Sequence, residues 1–352
     1  MTIAFCGGGT MGPVTPLIAV LRQMKKMNGD LKFIWIGTPG GPERQAVEAE
    51  GVNFFSIPVV KFPRYLSASW LSWPYKYLKA KAAAKKIIKD KRPDLIVSAG
   101  GFTGVPIMKV ANSLGIPCVI HQLDAEPGLS NKSVTRLCAS ITTSYRYEKP
   151  PFPGIKSECV PTPNRFTDRE VPLRMQAVDF FGLDESRPII FVVGGGTGAA
   201  VLNEAVWSVM GELLKRTQII HMTGKGKDKK IKKPGYYCRE FFNEKELLNA
   251  YAAADLVVSR AGIGGISDLA ALSRPAIFVP IPDSHQEKNL EKLSVEKVDQ
   301  RKDFAKNLTK KIFELLSEDA YRQDCGKRLH EDFPTDNGSM LAKRWLGLIS
   351  SL

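Results

Sequence analysis

Short apolar runs alternate along the chain with longer amphipathic segments. The run from Pro188 to Val193 is typical, because it contains no polar residue. Continuous apolar runs of this length predict strands whose two faces are both covered, as in a parallel sheet flanked by helices. We therefore predict an α/β fold with strands at residues 2–6, 32–36, 94–98, 117–121, 139–143, 188–193, 218–222, 254–259 and 275–280.

A glycine-rich turn follows the first predicted strand of each half of the chain. Residues 7–12 form the first glycine loop, and residues 194–198 form a similar loop in the second half. Each turn opens a helix-like segment, which is typical of a doubly wound Rossmann-like unit. We predict two such domains, residues 1–162 and 163–336, with a proline-rich linker between them. An amphipathic helix at 337–352 is expected to join the first domain.

The glycine loops suit phosphate groups but not NAD. The spacing Gly7-x-Gly9-x-x-Gly12 lets backbone N–H groups and a helix N-terminus approach a diphosphate. An NAD site also requires an acidic residue at the end of the second strand, to hold the ribose. The strand ending at Gly37-Thr38 has none, and neither does the corresponding strand ending at Thr223-Gly224.

Composition narrows the class of protein and its partners. The chain has 352 residues, of which 43% are hydrophobic and 24% charged, as in soluble two-domain proteins. No apolar run reaches the roughly 20 residues of a membrane span, and no signal peptide is recognisable. The 6 cysteines form no CxxC pair, which favours reduced cytosolic thiols. The 4 histidines show no spacing typical of metal ligands, so no metal site is expected. No cofactor is expected either.

The net charge of +14 indicates an anionic partner: nucleic acid, anionic lipid or a phosphorylated substrate. Aromatic residues cluster between Phe62 and Tyr75 and are followed directly by lysines. This cluster predicts a peripheral docking patch for an anionic membrane surface. An ordinary helix with a solvated basic face is the alternative. Nucleic acid is not expected as a partner, because no nucleic-acid-binding motif is present. The lysines of the patch are Lys76, Lys79, Lys81, Lys85 and Lys86.

Six segments follow one another in a recognisable order: residues 8–16, 98–106, 115–132, 194–203, 254–262 and 280–289. Together they resemble the MurG-type transferases of peptidoglycan synthesis over nearly the whole chain. The resemblance implies a GT-B fold, with two Rossmann-like domains whose parallel sheets face each other across a cleft. It also implies inverting transfer of N-acetylglucosamine from UDP-N-acetylglucosamine to polyprenyl-diphosphate-linked lipid I, at the cytoplasmic face of the membrane.

The resemblance places the UDP-sugar donor mainly in the second half. It implies that Arg165 binds the diphosphate and that the backbone of Phe242 meets uracil. Asp268 stands where the family has a glutamate on the ribose, while Gln286 and Asn289 match positions that hold sugar hydroxyls. Phosphate contacts are expected from the third glycine loop through Gly195, Gly196, Thr197 and Gly198.

The acceptor diphosphate is expected at the first glycine loop and at a second one, residues 100–104. The implied acceptor-binding residues are Gly9, Thr10, Met11, Gly12, Gly101, Phe102, Thr103 and Gly104, with Asn131 nearby.

The chain departs from the family pattern at several of these positions. A histidine of the first loop is replaced by Pro13, and a serine and a glutamine of the third loop by Gly196 and Thr197. The family's His-Glu-Gln-Asn segment is here His121-Gln122-Leu123-Asp124. We predict Asp124 as the general base and His121 as the alternative. The departures leave open a different glycolipid acceptor or a UDP-sugar-binding protein without activity. A UDP-sugar 2-epimerase, which shares the scaffold, is a further alternative.

Overall fold

The structure is a computed structural model that describes residues 1–59, 69–195 and 198–350, with side chains from residue 72 in the second range. Contacts divide the chain into two units. Unit 1 comprises Met1–Arg165 and the segment from Asp336 onward, and unit 2 comprises Phe166–Thr335. Two sets of predicted site residues lie outside the described residues: Gly196 with Thr197, and the membrane-patch residues 62–66.

The described part of unit 1 contains a seven-stranded parallel sheet in the order β3-β2-β1-β4-β5-β6-β7. β1 and β4 are neighbours although β2 and β3 lie between them in sequence. The winding therefore reverses at this point, and ligands bind beside such switch points in open α/β sheets. The strands are β1 (Thr2–Cys6), β2 (Lys32–Gly37), β3 (Asn53–Ser56), β4 (Leu95–Ser98), β5 (Cys118–Gln122), β6 (Ser140–Thr143) and β7 (Glu158–Cys159).

Helices connect these strands. α1 has a proline in its first turn, where no N–H is needed, and Lys25 and Lys26 in its last turn, where cations complement the helix dipole. The helices of unit 1 are α1 (Thr15–Met27), α2 (Glu43–Ala49), α3 (Ser69–Lys91), α4 (Gly104–Ser113), α5 (Leu129–Lys132) and the C-terminal α13 (Ser339–Ser350), with a 3-10 turn at Thr135–Leu137.

The C-terminal helix α13 packs on α1 within unit 1. It buries Leu341, Ala342 and Trp345, while its amphipathic pattern leaves polar residues outside. Gly338 precedes it with φ +91°, and a Cβ there would lie 2.7 Å from the backbone nitrogen of Val20. Only glycine therefore allows the chain to pass this close to α1.

The sheet of unit 2 repeats this winding in the order β11-β10-β9-β12-β13-β14, with a switch point between β9 and β12. Its strands are β9 (Ile189–Val193), β10 (Gln218–Met222), β11 (Tyr236–Arg239), β12 (Leu256–Ser259), β13 (Ala276–Phe278) and β14 (Glu296–Lys297). A separate two-stranded sheet consists of β8 (Thr162–Pro163) and β15 (Thr335–Asp336).

The helices of unit 2 follow the strands in the same alternation. α8 begins with a capping box between Asn243 and Glu246, in which each side chain binds the backbone N–H of the other residue. The helices are α6 (Arg174–Phe180), α7 (Ala200–Arg216), α8 (Glu244–Ala253), α9 (Ile263–Ala271), α10 (His285–Leu290), α11 (Phe304–Ser317) and α12 (Asp319–Asp332).

The central strands of each sheet are buried on both faces, as the continuous apolar runs require. In unit 1, Ile96 and Ile120 pack in one apolar cluster with Ile107 of α4. On the other face, Trp35 stacks on Phe5 with ring centroids 5.7 Å apart. The indole N–H of Trp35 donates to the carbonyl of Gly7 at 2.9 Å, which ties the start of the first glycine loop to β2.

The predicted strands are confirmed to within two residues at each end. The short strands β3, β7, β11 and β14 were not predicted. They carry partly exposed residues and lie at or next to the edges of their sheets, so they lack the continuous apolar pattern. Among the described residues, no helix has the length and apolar character needed to cross a bilayer.

Candidate functional site

The first two glycine loops lie side by side in unit 1, because they follow the neighbouring strands β1 and β4. The Phe102 ring covers Gly9, where a Cβ would lie 2.8 Å from a ring carbon. Gly9 has φ +81°, which a side chain would strain. The hydroxyl of Thr103 donates to the carbonyl of Gly8 at 3.5 Å. The predicted acceptor-binding residues of both loops are thus brought together at the switch point.

The two loops differ in how much of each is accessible. Thr10 and Gly101 are exposed, and Met11, Gly12 and Phe102 are half-buried. By contrast, Thr103 and Gly104 are buried, with a Cβ at Gly104 placed 2.8 Å from the Ser98 hydroxyl. A ligand at this edge of the sheet would therefore meet residues 10–12 and 101–102, whereas residues 103 and 104 support the loop from below.

A hydrogen-bonded network joins the second glycine loop to the end of β5. The Nδ2 of Asn131 donates to Oε1 of Gln122, and Nε2 of Gln122 donates to the backbone carbonyl of Asp124 at 2.7 Å. Gly100, at φ +94°, leaves room for Asn131, since a Cβ there would lie 2.6 Å from both amide heteroatoms. Asn131 is therefore 7% exposed and positions β5 and the loop relative to each other.

Asp124 lies just beyond β5 and is half-buried. A second donor reaches its carbonyl, because the Tyr147 hydroxyl binds the same oxygen at 3.1 Å. Burial raises the pKa of Tyr147, and the negative charge of Asp124 raises it further. The phenol therefore keeps its proton and remains a donor. Two side chains thus fix the backbone carbonyl of Asp124, next to the half-buried side chain that is the predicted base.

His121 does not fit the alternative role of general base. It is fully buried in β5, with Nδ1 2.9 Å from the Thr142 hydroxyl and Nε2 3.0 Å from the Ser144 hydroxyl. Burial lowers the pKa of His121 to about 3, so the ring is neutral at physiological pH. Both nitrogens are engaged inside the fold, and we correct the alternative: His121 joins β5 to the β6 region.

Glu43, at the start of α2, is a site residue that was not predicted from the sequence. Its carboxylate is fully buried under the first glycine loop. It accepts the N–H of Gly9 at 3.2 Å and the N–H and hydroxyl of Thr38 at 2.7 and 2.6 Å. The only signal in the sequence is that this acid follows the glycine-rich turn at 37–41.

In unit 2, the third glycine loop follows β9 at the second switch point. Gly198 has φ +68°, and a Cβ there would lie 2.2 Å from the carbonyl of Thr223. That carbonyl also accepts Nδ2 of Asn203 at 2.8 Å, while Nζ of Lys227 donates to the carbonyl of Gly198 at 3.2 Å. Lys227 places a positive charge beside the loop and was not predicted. Gly195 is exposed.

A buried polar network supports this loop from below. Oδ1 of Asn203 accepts from Nε2 of His221 at 3.1 Å, and Nδ1 of His221 lies 3.0 Å from the hydroxyl of Tyr236. Trp207 donates to the same hydroxyl at 2.9 Å. Burial lowers the pKa of His221 to about 4, so this network is uncharged at neutral pH.

The predicted sugar-binding residues lie next to one another, on the loop and helices after β12 and β13. Asn289 is fully buried and donates to the carbonyl of Ala261 at 3.2 Å. Oε1 of Gln286 accepts the N–H of Ile281 at 3.1 Å, and its Nε2 faces Gly262, 4.0 Å from where a Cβ would be. Asp268 lies on α9, which begins directly after Gly262, and is 5% exposed.

Phe242 and Arg165 are placed differently from these residues. The Phe242 ring is buried and stacks on Phe191 with centroids 5.9 Å apart, so the side chain belongs to the core. Its N–H donates to the sulfur of Met222 at 3.4 Å, so a contact to uracil would have to use its carbonyl. Arg165 is the last residue of unit 1, whereas Phe242 and the other predicted donor-binding residues fall within unit 2.

The described part of the predicted membrane patch lies on α3. Tyr75 and Leu78 are 70% and 63% exposed and lie three residues apart, so they fall on one side of α3. Trp73 stacks on Tyr77 with centroids 5.0 Å apart. Of the predicted lysines, Lys81 is half-buried and the exposed ones are Lys76, Lys79, Lys85 and Lys86.

Two family models match the chain. The model described as the glycosyltransferase family 28 N-terminal domain matches residues 3–143, and that of the family 28 C-terminal domain matches residues 189–332.

Two curated proteins that share one name are similar in sequence to this chain, over parts of both units. The UDP-N-acetylglucosamine–N-acetylmuramyl-(pentapeptide) pyrophosphoryl-undecaprenol N-acetylglucosamine transferase of Lachnoclostridium phytofermentans is 37% identical over 287 residues, which are 79% of this chain and 78% of that protein. Its namesake from Clostridium botulinum is 36% identical over 283 residues, with the same coverage of 79% and 78%.

Solved structures share the fold across the whole chain. MurG of Acinetobacter baumannii superposes with a TM-score of 0.70 at 22% identity, covering 100% of this chain and 99% of that one. The UDP-GlcNAc 2-epimerase of Neisseria meningitidis, bound to UDP-GlcNAc, superposes with a TM-score of 0.72 at 9% identity, covering 99% and 100%. At such identities the likeness establishes the fold alone, and the predicted α/β GT-B fold with two parallel sheets is confirmed.

Proposed function

This chain belongs to the MurG-type glycosyltransferases of family 28, and from that premise we propose that it transfers N-acetylglucosamine from UDP-N-acetylglucosamine to lipid I. The acceptor is the muramoyl sugar of undecaprenyl-diphosphate-linked lipid I, and the product is lipid II of peptidoglycan synthesis. Support comes from relatives that are named for this activity and are 36–37% identical in sequence to this chain across both units.

The observation that carries the proposal is the arrangement at the β1/β4 switch point. There the two acceptor loops adjoin the network of Asn131, Gln122 and Asp124. An acceptor diphosphate held by backbone N–H groups at residues 10–12 and 101–102 would bring the attached sugar near Asp124. This supports unit 1 as the acceptor domain.

In the proposed mechanism Asp124 is the general base. Its carboxylate takes the proton of the acceptor hydroxyl as that oxygen attacks the anomeric carbon of the donor sugar. The bond between the anomeric carbon and the diphosphate oxygen breaks, UDP leaves with the electron pair, and the configuration inverts. A positioned base contributes on the order of 10²- to 10⁴-fold to such a step.

The leaving diphosphate needs compensation of its charge, which we assign to the third glycine loop of unit 2. N–H groups of the loop, the N-terminus of α7 and the positive charge of Lys227 favour an anion at this place. Arg165 is proposed to add bidentate hydrogen bonds to the diphosphate. Ribose and sugar hydroxyls are assigned to Asp268, Gln286 and Asn289. We propose that transfer requires no divalent ion.

A lipid-linked acceptor requires the protein to reach the membrane, and we propose peripheral docking at the cytoplasmic face through α3. The exposed Tyr75 and Leu78 would enter the interface, while the neighbouring lysines bind anionic headgroups. Nucleic acid is not proposed as a partner.

The proposal is tested by product analysis with radiolabelled UDP-N-acetylglucosamine and a panel of acceptors that includes a short-chain lipid I analogue. We expect labelled disaccharide on the lipid I analogue, with and without EDTA. Transfer to another glycolipid would redirect the proposal to that acceptor. UDP-N-acetylmannosamine formed without any acceptor would indicate an epimerase, and donor binding without any product would indicate an inactive binding protein.

A further inference from the structure

The carboxylate of Glu43 occupies a space that the surrounding backbone leaves open for it. A Cβ at Gly8 would lie 2.1 Å from Oε1, and a Cβ at Gly41 would lie 1.9 Å from Oε2. At Gly37 the distance to Oε1 would be 3.0 Å. The glycines at and just after the end of β2, and the one just beyond β1, therefore make room for this single side chain.

Glycine-rich turns form concave sites where backbone N–H groups bind anions. In the first glycine loop, a carboxylate of the protein takes the place of such an anion at one N–H group. Glu43 accepts the N–H of Gly9 at 3.2 Å. Two further donors, the N–H and hydroxyl of Thr38, hold the other oxygen at 2.7 and 2.6 Å. The N–H of Gly9 thus points into the fold and not toward a ligand.

The position of Gly9 also affects the second glycine loop, because Gly9 contacts Phe102 of that loop. The Phe102 ring packs closely against Gly9, where a Cβ would lie 2.8 Å from a ring carbon. Residues 10–12 follow Gly9 directly, so their N–H groups take their direction from a loop whose base is fixed. Glu43 therefore acts on both loops without lying on the ligand side of either.

We propose that Glu43 is a positioning residue for the acceptor: it holds the first glycine loop in the shape that binds a diphosphate before the substrate arrives. The proposal rests on the proposed function, in which this loop contacts the acceptor, and goes beyond it by revising the role of Gly9. Gly9 supports the loop, and the diphosphate contacts fall to residues 10–12 and to the second glycine loop.

The test is Glu43→Gln, which preserves size but replaces one acceptor oxygen by a donor nitrogen. The Thr38 hydroxyl can reverse its role, but one backbone N–H, of Gly9 or Thr38, then loses its acceptor. We expect the KM for a short-chain lipid I analogue to rise about tenfold, while the KM for UDP-N-acetylglucosamine changes less than about twofold. Hydrogen exchange should accelerate about tenfold or more at whichever of these two amides, Gly9 or Thr38, loses its acceptor.

Glu48→Gln is the matched control, because Glu48 lies on the same helix and its side chain is 51% exposed in a surface pair with Arg44. Both KM values should keep their wild-type magnitude in this variant. If Glu43→Gln is insoluble, Thr38→Val is the substitute, because it removes the hydroxyl that donates to Oε1 of Glu43. This variant should raise only the KM for the lipid I analogue, by about threefold.

Equal changes in the two KM values, or a lower kcat with both KM values unchanged, would overturn the proposal and leave Glu43 a purely structural residue. A wild-type protein that transfers no sugar would instead contradict the proposed function. In that case hydrogen exchange still decides the claim about Glu43, since unchanged protection of both Gly9 and Thr38 in Glu43→Gln contradicts it whatever the activity.

Discussion

The side-chain amide of Gln122 donates to the backbone carbonyl of Asp124 at 2.7 Å, and no carboxylate at position 122 could make this bond. The same side chain accepts from Asn131 through its oxygen. A glutamine here thus uses both ends of its amide. The departure from the family glutamate is thereby explained as a structural link between the second glycine loop and the proposed base.

Gln122→Glu restores the family residue and should impair this chain. One oxygen of the new carboxylate can still accept from Asn131. The other oxygen lies against the carbonyl of Asp124, so two acceptors meet with no proton between them. We expect a loss of about 1–3 kcal/mol in the free energy of unfolding and a lower kcat, because the Asp124 backbone shifts. Urea unfolding and initial rates measure both quantities.

The control for that change is Gln45→Glu, since Gln45 is exposed on α2. Its stability should stay within about 0.5 kcal/mol of wild type. A Gln122→Glu variant as stable and as active as this control would refute the link.

Asp124→Asn tests the proposed base directly. The bonds from Gln122 and Tyr147 go to the backbone carbonyl of Asp124, so these two bonds survive the substitution. We expect kcat to fall about 10²- to 10⁴-fold with little change in the melting temperature or in the KM for the donor. Turnover within about threefold of wild type would show that another group takes the proton.

Acid should destabilise the protein through its buried histidines. His121 and His221 have pKa values lowered to about 3 and about 4, against about 6.5 in the unfolded chain. Between these values the unfolded state binds more protons than the folded one, so stability falls as the pH drops below about 6.5. From pH 7.5 to 5 the loss should approach about 2 kcal/mol for each histidine.

His121→Gln separates this contribution from the rest of the protein. An amide can still bind the hydroxyls of Thr142 and Ser144, but it does not titrate. Urea unfolding at pH 7.5 and 5 should show a loss smaller than that of wild type by about 2 kcal/mol. The same pH dependence in both proteins would contradict the neutral, buried state of His121.

Lys227 should matter for donor binding, because its Nζ donates to the carbonyl of Gly198 beside the third glycine loop. Lys227→Met removes the charge and keeps much of the apolar stem. Titration calorimetry should show UDP binding weakened about tenfold, since a charged hydrogen bond contributes about 1.5–3 kcal/mol. Lys225→Met, at an exposed position of the same segment, should change binding less than about twofold. Equal effects of the two substitutions would mean that the net positive charge of the segment affects UDP binding, and that the position of Lys227 beside the loop does not matter.

The sequence allowed the central strands to be predicted but not the short edge strands. The run at 188–193 is apolar throughout, because β9 is covered on both faces. β11 contains Tyr236, Tyr237, Cys238 and Arg239, of which the last is exposed, and its pairing with β10 depends on the fold and not on its own pattern. Periodicity records burial, and edge strands are incompletely buried.

The site residues show the same limit. Motif order located the glycine loops, because their conformations require glycine, as at Gly9 and Gly100 with positive φ. It could not show that His121 meets Thr142 and Ser144, which are distant in sequence. It also missed Glu43, because an acid in a turn looks solvated until the fold places it under the loop. Hydrogen-bond partners are set by tertiary contacts, which a single sequence does not display.

The most direct test of the account is coupled turnover by the wild-type protein. UDP release and glycosylation of a short-chain lipid I analogue are followed together, with UDP-N-acetylglucosamine as donor. We expect one UDP released for each N-acetylglucosamine transferred, an inverted anomeric linkage in the product, and no release without acceptor. UDP release without glycosylated lipid, or a product that retains the donor's anomeric configuration, would contradict this expectation.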